Sequence, residues 1–352
     1  YNEPSTHLVD TGGKGVERPG ANHYYIHVME PSPFAAKALP SAKRLGLTNP
    51  GLSHLVHMPS HIFLRAGWYK QGVDVNTKAV NSYQNTISLY APVTGADFLY
   101  IIHNEHMKAN NAMMMGNYEA AIKAAAETQQ SIPKDYLSIP APMGSYVQYI
   151  NMTPLLVYVR FGKWDELLKM TPPAAEQVYA SVLYHFGKGM ALASTQKIAE
   201  AKEELRAMRI NMKDSSLFIP FSPFSPAIDG AVVAENLLEG TIALKEKKMN
   251  EAIASFERAA TTEGNMVYNE PRDWILNPKH YLGNAYLLNN DGAAAEKTFS
   301  KDLDYNAENG WALYGLYKAL LMQQKNAAAS KTLERFNRAF AHADIKPAAA
   351  VY

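Results

Sequence analysis

The chain contains no cysteine. That absence excludes disulfides, thiolate zinc sites, iron–sulfur clusters and thioether-linked haem in one step. It also leans toward an oxidising compartment, where a stray thiol is a liability, so a periplasmic or extracellular location is the expectation. Strong charge of one sign is missing too: 34 Lys and Arg face 33 Asp and Glu, a formal net charge of +1. Without a Lys/Arg cluster or basic stripe, a nucleic-acid partner is not expected. No apolar run approaches the roughly 18 residues needed for a membrane span. GxxxxGK[ST], a strand-borne GxGxxG, GxSxG and HExxH are all absent, so no nucleotide cofactor is expected. The chain opens at Tyr1 and not at Met, which reads as a processed or truncated product and makes a missing leader uninformative.

What is present is a helix-forming pattern. A composition of 47% hydrophobic and 19% charged residues over 352 positions is that of a globular chain. The length suits one extended repeat array or two compact domains. Residues 1–20, rich in Gly, Pro and charge, read as an irregular lead-in. Beyond them apolar residues recur at three- and four-residue spacing, and β-type alternation is missing. The segments "RAGWYKQGVDVNTKAV", "MMGNYEAAIKAAAET", "VRFGKWDELLKM" and "LKEKKMNEAIASFERAA" share one grammar. A helix ends in Gly or a polar pair, a large apolar residue follows two positions later, and small residues then let two helices approach. "LLNNDGAAAEKTFSKDL" and "LMQQKNAAASKTLERF" echo it more loosely. This grammar resembles the tetratricopeptide repeat (TPR), a helix-turn-helix unit of about 34 residues. The spacing is irregular: Gly67 to Gly116 is 49 residues and Gly116 to Gly162 is 46. The resemblance implies an all-α, right-handed superhelical array of antiparallel helix pairs, a TPR-like α-solenoid stabilised by neighbour stacking. We divide it into N-terminal repeats (21–212), a Pro/Phe-rich loop (213–231) and C-terminal repeats (232–352). The phenylalanines of that loop argue for order, since a solvated linker would not carry them.

Seven of 11 histidines fall in three short N-terminal segments. "NHYYIHVME" holds His23 and His27, "HLVHMPSHIF" holds His54, His57 and His61, and "IIHNEHMKANN" holds His103 and His106. Spacings of three or four place such residues on one helix face, as paired ligands require. Pro59 reads as the first residue of a helix carrying His61, where its missing N–H costs nothing. That placement interrupts the face shared with His54, which therefore ranks below His57 and His61. The metal-ligand candidates are His23, His27, His57, His61, His103 and His106. His185, His280 and His342 read as structural, and Trp68, Trp164, Trp274 and Trp311 as packing residues.

An imidazole-dominated site without thiolates suits zinc, copper, iron or nickel. Nearby Met29, Met58, Met107 and Met113–Met115 would favour copper if they ligate, although core packing is the simpler reading for Met113–Met115. Six imidazoles in three pairs allow a dinuclear centre, either redox-active dicopper or hydrolytic zinc with Glu30 or Glu105 as base. Haem with two axial histidines would use only two of them. The same segments resemble a histidine-rich group of bacterial, often exported, TPR proteins. The function expected is therefore binding of one or two transition-metal ions, copper or zinc, in the N-terminal repeats. The alternative is a non-catalytic scaffold that holds a protein or peptide in the concave groove of the solenoid.

Overall fold

A computed structural model describes residues 18–48, 51–89 and 98–352. Eighteen α-helices and three short 3₁₀ turns make up the regular structure, with no strand among the described residues. A compact N-terminal group comprises α1 (Pro19–Met29), α2 (Leu39–Thr48), α3 (Ser53–His57) and α4 (Pro59–Ala66). Next come α5 (Tyr69–Leu89), α6 (Phe98–Met114), α7 (Tyr118–Ser131), α8 (Met143–Asn151), α9 (Thr153–Arg160), α10 (Trp164–Lys169), α11 (Val178–Ser194) and α12 (Ile198–Asn211). The remainder is α13 (Ala227–Lys245), α14 (Met249–Asn265), α15 (Pro278–Leu288), α16 (Gly292–Leu303), α17 (Gly310–Met322) and α18 (Asn326–Ala339). Consecutive helices pack in pairs, as the repeat grammar requires.

One turn geometry recurs at the hairpins. Gly67, Gly116, Gly162, Gln196, Lys247, Asn290 and Gln324 all have positive φ, and each stands two residues before the next helix begins. The amide following each donates to the carbonyl five residues back, from Trp68 N to Phe63 O through Lys325 N to Leu320 O, at 2.8–3.0 Å. This is the Schellman closure, which satisfies helix-end carbonyls through a left-handed residue. Four of the seven positions hold a residue other than glycine, at a cost of roughly 1–2 kcal/mol each. The steps from Gly162 to Gln196 and from Asn290 to Gln324 are each 34 residues, and the other intervals are longer. Glycine is needed at Gly67 for a second reason: a Cβ there would lie 2.5 Å from Ala307 O.

That contact belongs to a closure of the array on itself. Tyr69 Oη donates to Ala307 O at 2.8 Å, Trp311 Nε1 to Met113 O at 2.8 Å, and Asn117 Nδ2 to His342 O at 2.8 Å. The main apolar core runs from Leu64 to Ala285 and takes in Val351, a smaller core of Ile26, Leu45, Met58 and Ile62 holds α1–α4 together, and a third, around Phe299, Ala312 and Leu316, joins α16–α18. At the C-terminus Val351 is buried, and the Tyr352 ring meets Trp164 and Tyr281. The chain's last residues thus pack against α10 and α15. No helix among the described residues is long and apolar enough to cross a membrane.

Two segment boundaries differ from the sequence reading. The lead-in assigned to residues 1–20 lies outside the described residues up to residue 17, and Pro19 and Gly20 already belong to α1, with Pro in its first turn. In the Pro/Phe-rich stretch the helix resumes at Ala227. Before it, Leu217 is fully buried and the Phe221 ring stacks on Tyr146 of α8 at 5.5 Å.

Candidate metal centre

Three helical segments aim their histidines inward. On α1, His23 and His27 are one turn apart, and Glu30 follows directly after the helix ends. The junction residue Met58 has φ −47° and ψ −38°, so the backbone passes from α3 to α4 without leaving helical geometry. His54 and His57 on α3 and His61 on α4 therefore stay on a continuous surface. His103 comes from α6.

The imidazoles assemble into two trios, His23–His27–His54 and His57–His61–His103, in each of which the ligand atoms lie within 4.8 Å of one another. In the outer trio His23 Nε2 is 2.9 Å from His54 Nε2 and 3.2 Å from His27 Nε2. In the inner trio His57 Nε2 is 2.8 Å from His61 Nε2 and 2.9 Å from His103 Nε2. Two nitrogens bound about 2.0–2.1 Å from one ion, at angles of about 90–110°, would lie about 2.9–3.4 Å apart. The spacing of both trios fits that edge. A third group, His27, Glu30, His61 and Glu270, lies where the trios adjoin, and the His27 and His61 ring centroids are 5.3 Å apart.

For three of the rings, His27, His57 and His61, the far side explains the orientation. Asn76 Nδ2 donates to Gly72 O, which fixes its Oδ1 2.7 Å from His57 Nδ1. That nitrogen must carry the proton, leaving one Nε2 lone pair facing two neighbouring rings. Only one of those contacts can be a hydrogen bond. Glu270 Oε1 sits 2.7 Å from His27 Nδ1, and Glu30 Oε2 sits 2.9 Å from His61 Nδ1. Tyr268 in turn donates a short hydrogen bond to Glu30. A carboxylate or amide behind the ring fixes tautomer and orientation, an arrangement characteristic of metal-ligating histidine.

Electrostatics agree with the geometry. Burial, reinforced by neighbouring imidazoles, pushes His103 down to about 3, His54 down to about 4, and His57 well below its ordinary value. Burial opposes a charge on His61 as well, but the Glu30 carboxylate outweighs it and raises that ring. Burial also works against the Glu270 charge, yet His27 and His61 hold its carboxyl down to about 2. His54, His57 and His103 are thus held as neutral imidazole donors, and the Glu30 and Glu270 carboxylates stand beside His61 and His27 to balance an added cation.

Two site residues differ from the sequence reading. His54 completes the outer trio although it ranked below the others, because Met58 keeps the helical path that Pro59 seemed to break. His106 does not join either trio. Three positions after His103 on α6, it turns toward α9, with Nδ1 2.8 Å from Thr153 Oγ1 and its ring against Tyr149. Glu30 does reach the site. Glu105 points elsewhere, with Oε1 toward Ser131 at 3.4 Å, and burial raises it to about 7. Met29 and Met58 pack in the small core, and Met107 and Met113–Met115 in the main one. Glu270, Tyr268 and Asn76 were missed. One faint signal existed: the tetrapeptide Tyr-Asn-Glu-Pro occurs twice, and its copy at 268–271 delivers both Tyr268 and Glu270.

No protein-family model and no curated protein sequence matches the chain. Among solved structures it is similar to the TPR domain of P58(IPK), at 10% identity over 91% of this chain and 92% of that one, with a TM-score of 0.28. The description of the fold as paired helical repeats rests on the helix pairing and recurrent turns themselves.

Proposed function

We propose that this helical-repeat protein holds two transition-metal ions, zinc or copper, one at His23–His27–His54 and one at His57–His61–His103. The observation that carries this reading is the convergence of six Nε2 atoms in two sets, with Nδ1 of His27, His57 and His61 held from behind by Glu270, Asn76 and Glu30. Three imidazoles per ion leave a coordination position open, as catalytic zinc sites do. Two ions about 3.5–4 Å apart can share a substrate oxygen. A hydrolytic or redox centre would use that open position, with Glu30 and Glu270 beside His61 and His27 where the two trios adjoin. Elemental analysis of protein purified without chelator should show one to two transition-metal ions per chain. Less than about a tenth of an ion would overturn the proposal. The His57→Ala/His61→Ala double variant should lose the inner ion and retain the outer one.

A non-catalytic scaffold is the second reading. An open groove of about 810 Å³ runs along α14, α15 and α16, bordered by Arg272, Lys279, Lys297 and Lys301. Arg272 and Lys279 pair with the buried Glu263, and Lys297 and Lys301 are the rim cations that suit an acidic partner segment. Partner capture that persists in EDTA, from a protein found to hold no metal, would favour this reading.

A further inference from the structure

A separate cavity lies under the Pro/Phe-rich segment, between α8, α11 and α13, and encloses about 40 Å³. That is room for a few water-sized groups. Its walls carry Tyr146, Tyr149, Tyr179 and Phe221, with Asn269 and Asp273 at one side and no Lys, Arg or His. The rings form two stacked pairs, Tyr146 on Phe221 at 5.5 Å and Tyr149 on Tyr179 at 6.0 Å. Gly230 makes space for the second pair, since a Cβ there would stand 2.2 Å from the Tyr179 hydroxyl.

Asp273 is half answered. Its Oδ1 accepts from Asn269 Nδ2 at 2.8 Å, whereas Oδ2 is buried with no partner. Leaving a buried acceptor unmet is costly. Burial, only partly offset by the Asn269 amide, lifts the carboxyl to about 6, and the charged neighbour that raises it further is another acid, Asp229. The cavity thus presents aromatic faces, an unmet carboxylate oxygen and acidic surroundings. A hard divalent cation would need about six or more oxygen ligands, which these walls do not supply. A quaternary ammonium would suit the rings but offers Oδ2 no N–H. The remaining match is a protonated primary amine, whose charge suits aromatic faces and whose N–H suits the oxygen.

We propose that this cavity binds the ammonium head of a small primary alkylamine, with Asp273 Oδ2 accepting an N–H and Tyr146, Tyr149, Tyr179 and Phe221 enclosing the charge. None of these residues belongs to the histidine trios, so chelated and untreated protein should bind alike. Calorimetric titration of the whole chain with n-propylammonium, n-propanol and tetramethylammonium tests it. Propylammonium should bind with a Kd of about 1 mM or tighter. The two controls should bind at least tenfold more weakly. Asp273→Asn should weaken propylammonium at least tenfold. Phe221→Ala, at a partly buried loop position, should weaken it several-fold while circular dichroism shows the helical content retained. Propanol binding as well as the amine, an unchanged Kd in Asp273→Asn, or no binding up to about 10 mM amine would each overturn the proposal.

Discussion

The histidine trios and the buried His280 are built on opposite terms. In the C-terminal half, His280 has both ring nitrogens answered by protein: Arg160 Nη2 donates to Nδ1 at 3.1 Å, and Nε2 donates to Asp302 Oδ2 at 3.0 Å. Asp302 is in turn surrounded by the amides of Asn277, Asn306 and Asn309. Burial opposes the Asp302 charge, but the His280 ring, Lys279 and the Asn306 amide hold its carboxyl down, to about 2. Because burial also pushes His280 down, we read that ring as a neutral donor and not as a cation. In the N-terminal half, Nδ1 of His27, His57 and His61 stands against Glu270, Asn76 and Glu30, yet the Nε2 atoms of both trios meet only each other. A polar cluster closed on itself serves the fold. One that is rigid behind and unanswered in front is arranged for something the protein does not itself provide.

The contrast can be broken most forcefully from its structural side. Asp302→Ala removes the centre of a fully buried network and should cost about 3–5 kcal/mol of unfolding free energy, read by denaturant titration. Metal content of the folded fraction should stay unchanged; loss of metal would mean that the two clusters are one system. Acid should act next. Folding lowers the Asp302 pKa from an unfolded value of about 3.9, so the stability that its charge contributes is complete above that pH. It drains away as pH falls toward about 2, by on the order of 2 kcal/mol. Asp302→Asn should flatten that part of the stability–pH curve, and an unchanged slope would remove Asp302 as its cause.

Smaller effects sharpen the other side. Asn76→Ala and Glu270→Gln leave all six proposed ligands in place and should weaken metal affinity about 10–100-fold, measured by competition with a chromophoric chelator. Affinity unchanged in both would show that the backing groups do not tune a metal. His106→Ala should leave metal stoichiometry as it is, since that ring faces Thr153 and Tyr149. A lost ion there would restore His106 to the ligand set.

The paired-helix architecture was legible because its signals are local. Gly67, Gly116 and Gly162 mark left-handed turns, and the aromatic or large residue two positions on begins the next helix. Asn290 and Gln324 adopt the same conformation without glycine, which is why those two segments read as looser echoes, while Lys247 does so within a segment that shows the full grammar. Five of the six proposed ligands were legible through helical spacing. His54 was undervalued because Pro59 was read as ending the shared surface, and only the Met58 dihedrals show that the helix carries on. His106 was overvalued because residues three apart on a helix still diverge by about 60°, enough to face a different neighbour. Glu270 has no local signal tying it to His27, since 243 residues separate them.

That separation has a consequence for how the protein is made. During synthesis every imidazole of both trios is available long before Glu270 and Tyr268 emerge, so an ion captured early would sit among rings still free to swivel. Completion waits for the second half of the array to come round and lock them. In this sense tight retention of metal, and not its capture, would report that the segment carrying Tyr268 and Glu270 has reached the first helices.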